Sequence, residues 1–108
     1  MYVRAARFEG IDTSNIDEDM QKYREMVRMD EAPEGMSDET FTALRSGVKR
    51  VMSLVDREAG ASLDLVFTDT AEDAERVHEA LDAMSPPEGA GRRTSVQTFE
   101  LMLDEDLG

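Results

Sequence analysis

The sequence predicts a small α+β domain with the element order β-α-β-β-α-β. Three observations carry this. Four short runs, residues 2–8, 48–57, 62–67 and 94–103, have the character of strands, two of them with clear apolar alternation. Two longer runs, opening near Ile16 and after Thr70, repeat apolar residues at helical spacing. The chain has 108 residues, which suits a single domain spanning 1–108.

The elements follow in order. "YVRAARF" places Tyr2, Arg4, Ala6 and Phe8 on one face and Val3, Ala5 and Arg7 on the other. "GIDTSN" breaks this strand, and Ser14 with Asp17 resembles a capping box for the helix that follows, running to about Met29. Ile16, Met20, Tyr23 and Val27 form its buried stripe, widened by Met26. Asp17, Glu18 and Asp19 in the first turn, with Arg24 and Arg28 near the end, suit the helix dipole. Residues 30–47 are irregular and punctuated by Pro33 and Gly35. Within them "SDETFTAL" has the makings of a short helix, with Ser37 or Asp38 as cap and Phe41 and Leu44 inward. The segment reads as a connector or as a loop covering a cleft.

"VKRVMSLVDR" and "SLDLVF" form a hairpin around "DREAG", where Gly60 is free to adopt positive φ. Leu63, Leu65 and Phe67 make one clean apolar face of the returning strand; Asp64, Val66 and Thr68 make the other. Thr70 caps the second helix, with Asp73 at the box position. Ala74, Val77, His78 and Leu81 are its stripe, extended by Met84. "SPPEGAGRR" ends the helix, "TSVQTFELML" is the last strand, and acidic "DEDLG" a solvated tail. This order is the split βαβ arrangement of the ferredoxin-like fold: two helices on one face of a four-stranded antiparallel sheet. The other face is expected to carry Val66 and Val96, with either the Tyr2/Phe8 or the Val3/Ala5 row. A face that apolar normally finds a partner.

Charge narrows the function. The chain has 25 acidic and 12 basic residues and a net charge of −13, which repels nucleic acid and anionic membranes. "GVKRV" and "GRRTS" supply only two basic residues each, and Lys22 and Lys49 are the only lysines. An acidic, lysine-poor surface fits a high-salt cytoplasm; an acidic protein from a GC-rich genome is the alternative. In the halophilic case the melting temperature should rise with potassium chloride, and a flat or falling curve removes that idea. With no apolar run near the ~20 residues of a membrane span and no signal-peptide layout at "MYVRAARFEG", the expected location is cytoplasmic. The chain has no cysteine and so forms no disulfide or thiolate site; its eight methionines suggest an adaptable aliphatic core.

The strand "YVRAARFEG", the hairpin "VMSLVDREAGASLDLVFTDT", the helix start "TAEDAERV" and the closing strand "TSVQTFELML" resemble the dimeric α/β-barrel superfamily. This superfamily includes the antibiotic-biosynthesis-monooxygenase-like domains. The similarity runs over nearly the whole chain, although residues 36–47 are longer than in the simplest members. It implies a homodimer whose sheets pack face to face, with a ligand cleft between each sheet and its loops. Relatives include cofactor-free oxygenases, haem-degrading and chlorite-decomposing enzymes, and many domains without assigned activity. Haem-degrading relatives use an asparagine, a tryptophan and a histidine. Here tryptophan is absent, and the one asparagine, Asn15, starts a helix, which speaks against a haem-degrading role.

Few residues are left as candidates. His78, the only histidine, could serve as a general base or haem ligand; equally, it is a half-buried helix residue whose ring Glu75 or Asp82 could bond. Tyr2 is the other weak catalytic candidate. If Val3 and Ala5 face the helices, Arg4 lies on the dimer-facing side with Asp64 and Glu100. There Arg4 could hold an anionic ligand bidentately, or simply pair with Asp64 or Glu100. A one-residue slip would move Arg4 to the helix side. Asp17, Glu18 and Asp19, and Glu72, Asp73 and Glu75, fan around their helices as solvated faces, so no metal is expected. No phosphate-cradling loop, nucleophile elbow or zinc helix is present. The leading expectation is a dimeric domain binding a small organic ligand without a cofactor. The alternatives are a cofactor-independent monooxygenase, with His78 or Tyr2 assisting carbanion formation, and a purely structural interaction domain with no enclosed pocket.

Overall fold

The computed structural model describes residues 1–84 and 90–108. Most of the turn expected at "SPPEGAGRR" lies outside the described residues. The elements are β1 (Tyr2–Glu9), α1 (Ile16–Val27), α2 (Asp38–Gly47), β2 (Val48–Asp56), β3 (Ala61–Thr68), α3 (Ala71–Asp82) and β4 (Arg92–Glu100). The strands form one sheet in the order β2-β3-β1-β4, antiparallel at every interface. This is an α+β domain compatible with a ferredoxin-like fold. It has three helices among the described residues, where the expected pattern has two.

The third helix, α2, occupies the stretch where the sequence allowed a short helix, and it runs directly into β2. Its cap is Ser37, whose Oγ accepts a hydrogen bond from the Thr40 N–H at 3.1 Å. Thr70 caps α3 in the same way, accepting from the Asp73 N–H at 3.0 Å. Each such cap contributes about 0.5–2 kcal/mol. Ser14, expected to cap α1, does not. Its N–H and hydroxyl both bond to Asp12 Oδ1, at 3.0 and 2.6 Å, and α1 starts after Asn15 with no side-chain cap. The local Asx turn competes with the cap and wins. It also holds the Asp12 carboxyl below its ordinary range, since the Ser14 hydroxyl and N–H both donate to it.

The bounds of β4 differ from the expected 94–103 for a reason that lies in its partner. A bulge between Arg7 and Phe8 lets Arg92 and Arg93 pair with Glu9 and Phe8, so β4 starts early. β1 begins at Tyr2, so the ladder runs out after the Leu101 N–H reaches the Met1 carbonyl at 2.8 Å. Beyond it, Met102, Leu103 and Leu107 are 81%, 76% and 96% exposed.

The largest departure from the sequence reading concerns which face of the sheet the helices cover. Residues paired in register share a face. Arg4 pairs with Val66 and Thr98, Ala6 with Asp64 and Val96, and Asp64 with Ser53. The Arg4 side chain reaches His78 on α3, which places this whole row under the helices. Arg4, Asp64, Glu100, Val66 and Val96 therefore share one face as expected, but it is the helix side and not the open side. The open face carries Val3 and Ala5 of β1, Met52 and Leu54 of β2, Leu63, Leu65 and Phe67 of β3, and Phe99 of β4. Arg50 lies over the Phe67 ring there, 5.6 Å from its centre.

The core sits mainly between α3 and the central strands. Val77 and Ala74 of α3 are buried, as are Ala6, Val66 and Thr68 beneath the helices. α2 packs on α3 through a close approach at Gly47. A Cβ there would lie 2.7 Å from Val77 Cγ2, so the pair excludes any larger residue without adjustment. α1 stands over the other half of the same face, and the space beneath it is not filled.

Candidate functional site

That space is a cavity of about 320 Å³ between α1 and the sheet. α1 contributes Ile16, Met20, Tyr23 and Met26, most of the stripe that the sequence marks as buried. The stripe is apolar because it faces the sheet, yet here it faces open space first. The sheet contributes Phe8 from β1, Ser53 and Val55 from β2, and Ser62 and Asp64 from β3. Ile11, Ala90, Asp19 and Lys22 complete the lining. Ile11 is held by its N–H, which donates to the Gly60 carbonyl at 3.0 Å. The walls are mostly apolar, with a short polar row at Ser53, Asp64 and Ser62, a composition typical of small-molecule sites.

Asp64 is the chemically distinctive group. Ser53 Oγ donates to its Oδ1 at 2.7 Å, a rung of the β2–β3 ladder that fixes the carboxyl's orientation. Burial pushes the Asp64 pKa up, and the Ser53 hydrogen bond and the Arg4 charge only partly offset this. Tyr23 faces the same space. Burial, with the Asp64 charge second, raises its pKa, so the phenol stays protonated.

The raised Asp64 value has a consequence for stability. The ionised form is less favourable in the folded protein than in the unfolded chain. The penalty is absent well below the ordinary value of 3.8, grows as pH rises through the folded pKa, and is complete above it. Asp64→Asn keeps an acceptor for Ser53 and removes the ionisation. Its stability relative to the native chain should therefore be more favourable at neutral pH than near pH 4. Chemical denaturation at both pH values checks this, and an equal or reversed difference would contradict the buried-carboxylate account.

Arg4 lies beside this site under α3, only 7% exposed. Its Nε donates to His78 Nδ1 at 3.0 Å, which places the ring proton on Nε2. Neither Glu75 nor Asp82 bonds the ring. Asp82 instead accepts from Arg93 Nη2 at 2.7 Å, joining α3 to β4. That bond and the Arg93 charge hold the Asp82 carboxyl below its ordinary range. Burial, together with Arg93, pulls the Arg4 pKa down, against the opposing charges of Asp82 and Asp64. The Arg4–His78 bond ties β1 to α3.

The candidate residues of the sequence are distributed as follows. Arg4 and Asp64 are brought close, without a direct ion pair. Glu100 is exposed at the end of β4 opposite Tyr2, and no bond among the described residues links it to Arg4. Among Arg4, Asp64, Glu100, His78 and Tyr2, Asp64 alone lines the cavity. Ser53 and Tyr23 were not singled out as site residues. The helical stripe contained Tyr23, but nothing local in "VMSLVDR" marks Ser53, which matters only through its cross-strand position. Among the described residues, no three histidine, aspartate or glutamate side chains converge to hold a metal, and no helix is long and apolar enough to cross a membrane. Compared with known protein families and with curated proteins, the chain matches none of them.

Proposed function

We propose that this domain binds a small organic ligand in the cavity between α1 and the sheet. The reading includes a homodimer of the dimeric α/β-barrel kind, formed through the open sheet faces. The cavity is the observation that carries it. A helix whose apolar stripe faces about 320 Å³ of space leaves Phe8, Met20, Tyr23 and Met26 short of packing partners. A bound molecule supplies those contacts. A purely structural domain has no use for such a void, because close packing would stabilise it more.

The dimer rests on the open face. Met52, Leu54 and Phe99 are 37%, 48% and 50% exposed there, beside Leu63 and Leu65. Burying such a row stabilises association by roughly 25 cal/mol per Å² before the costs of ordering.

Two measurements test the reading. Small aromatic probes should bind with amide shift changes confined to α1 and the facing strands; a chain that binds none of them refutes the ligand site. Light scattering at high salt should give twice the 12.1 kDa chain mass, and a mass of 12.1 kDa refutes the dimer. High salt matters because subunits of net charge −13 repel each other strongly without screening.

A second reading, a cofactor-independent monooxygenase, is favoured by one observation. Asp64 gives the apolar cavity a carboxylate suited to taking a proton from an electron-rich substrate. Oxygen uptake with an electron-rich phenol, abolished by Asp64→Asn, would support that activity; uptake insensitive to the substitution would exclude Asp64 from it.

A further inference from the structure

We propose that the cavity selects organic cations, specifically a small aromatic or aliphatic amine whose ammonium group sits on Asp64. The inference rests on the ligand-site reading above and adds the charge and chemical class of the ligand.

The charge of Asp64 is offset only in part by that of Arg4. Asp64 Oδ1 is engaged by Ser53, but no described residue donates a hydrogen bond to its Oδ2. No described lysine, arginine or histidine nitrogen lies within 4.0 Å of the carboxylate. Residues 85–89 are Ser, Pro, Pro, Glu and Gly, so they add no cationic side chain. A half-buried carboxylate in apolar surroundings is costly without a counter-charge. Neither nearby cation of this chain pairs with the carboxylate. Arg4 gives its Nε to His78 and does not line the cavity. Lys22 is among the lining residues, while its Nζ lies 4.0 Å from Glu18 and its side chain is 71% exposed. Asp19 adds a second negative charge to the lining.

The remaining lining fits the rest of such a molecule. Phe8 and Tyr23 present aromatic faces or edges that attract an ammonium group or stack with a ring. Met20 and Met26 adapt to the shape of an apolar body. The volume lies at the small end of ligand sites, which favours a single ring or a short chain over a fused polycycle. An anion would meet two negative charges in the lining, Asp64 and Asp19, against the one positive charge of Lys22.

Three probes of similar shape test this: phenethylamine, phenethyl alcohol and phenylpropionate, titrated at neutral pH while amide shifts are followed. The titrations are run at about 1 M potassium chloride, where a Debye length of roughly 3 Å suppresses diffuse attraction to the acidic surface. The amine should bind about 10–100-fold more tightly than the alcohol, the range expected of a hydrogen bond to a charged group. Its shifts should centre on Tyr23, Ser53 and Asp64. Asp64→Asn should reduce the amine to the level of the alcohol. Equal binding of amine and alcohol, or preference for phenylpropionate, overturns the cation proposal and leaves the ligand site standing. Amine binding untouched by Asp64→Asn, or mapped to the outer acidic surfaces, also overturns it. Failure of all three probes overturns the ligand site itself. The native chain decides the charge preference even if the asparagine variant does not fold.

Discussion

Gly91→Ala should destabilise the domain by about 2–4 kcal/mol, the sum of a strained backbone and an enforced overlap. Gly91 has φ +74°, and a Cβ there would overlap the Glu9 carbonyl oxygen and stand 2.9 Å from the Gly10 carbonyl carbon. Neither atom is the end of a flexible side chain. Relief requires the start of β4 to separate from the end of β1, and with it Ala90, which lines the cavity. For a chain of this length the loss corresponds to a fall in melting temperature of about 10–20 °C. Gly35→Ala is the control. Gly35 has φ +89°, but its added Cβ would meet nothing within 4 Å. It should lose only the conformational part, about 1 kcal/mol. Equal losses in the two variants would show that the close approach at Gly91 is absent.

Leu65→Asp should convert the proposed dimer to monomer with little effect on the fold of each chain. Leu65 stands mid-sheet on the open face, in the row Met52, Leu65, Ala5 and Gln97. Two-fold symmetry would bury two such carboxylates in one interface, between subunits that already repel. Like charges in an interface cost several kcal/mol, on the order of a thousandfold in the dissociation constant. Light scattering at high salt should then report 12.1 kDa for the variant. Gln21→Asp, on the exposed side of α1, adds the same charge and should leave the mass unchanged. A Leu65→Asp chain with the native chain's dimeric mass would place the interface elsewhere.

Much of the site was legible from α1. The spacing of Ile16, Met20 and Tyr23 marks one inward stripe, and these residues do line the cavity. The emptiness beneath them was not legible, because a helical stripe looks the same whether it packs directly or faces a void. His78 stood out as the only histidine, and the sequence offered Glu75 and Asp82 on its own helix as partners. Its partner is Arg4, 74 residues away in the chain, a contact that only the meeting of α3 with β1 creates. Ser53 became part of the site through the β2–β3 register alone.

In β1 and β3 the two faces are a matter of alternation, and the sequence by itself determined them. Arg4 goes with Ala6 and Phe8, and Leu63 with Leu65 and Phe67. It also determined the order of the strands along the chain, the cap at Thr70, and the absence of thiol chemistry. Which face turns inward was decided only by the tertiary structure. A period of two separates the faces but gives them no sign. The sign follows from what the helices offer. α3 brings His78 to accept from Arg4, and β2 brings Ser53 to donate to Asp64, so Arg4 and Asp64 each find a partner inside. The more apolar row of Leu63, Leu65 and Phe67 is thereby left on the open face, where a second molecule can cover it.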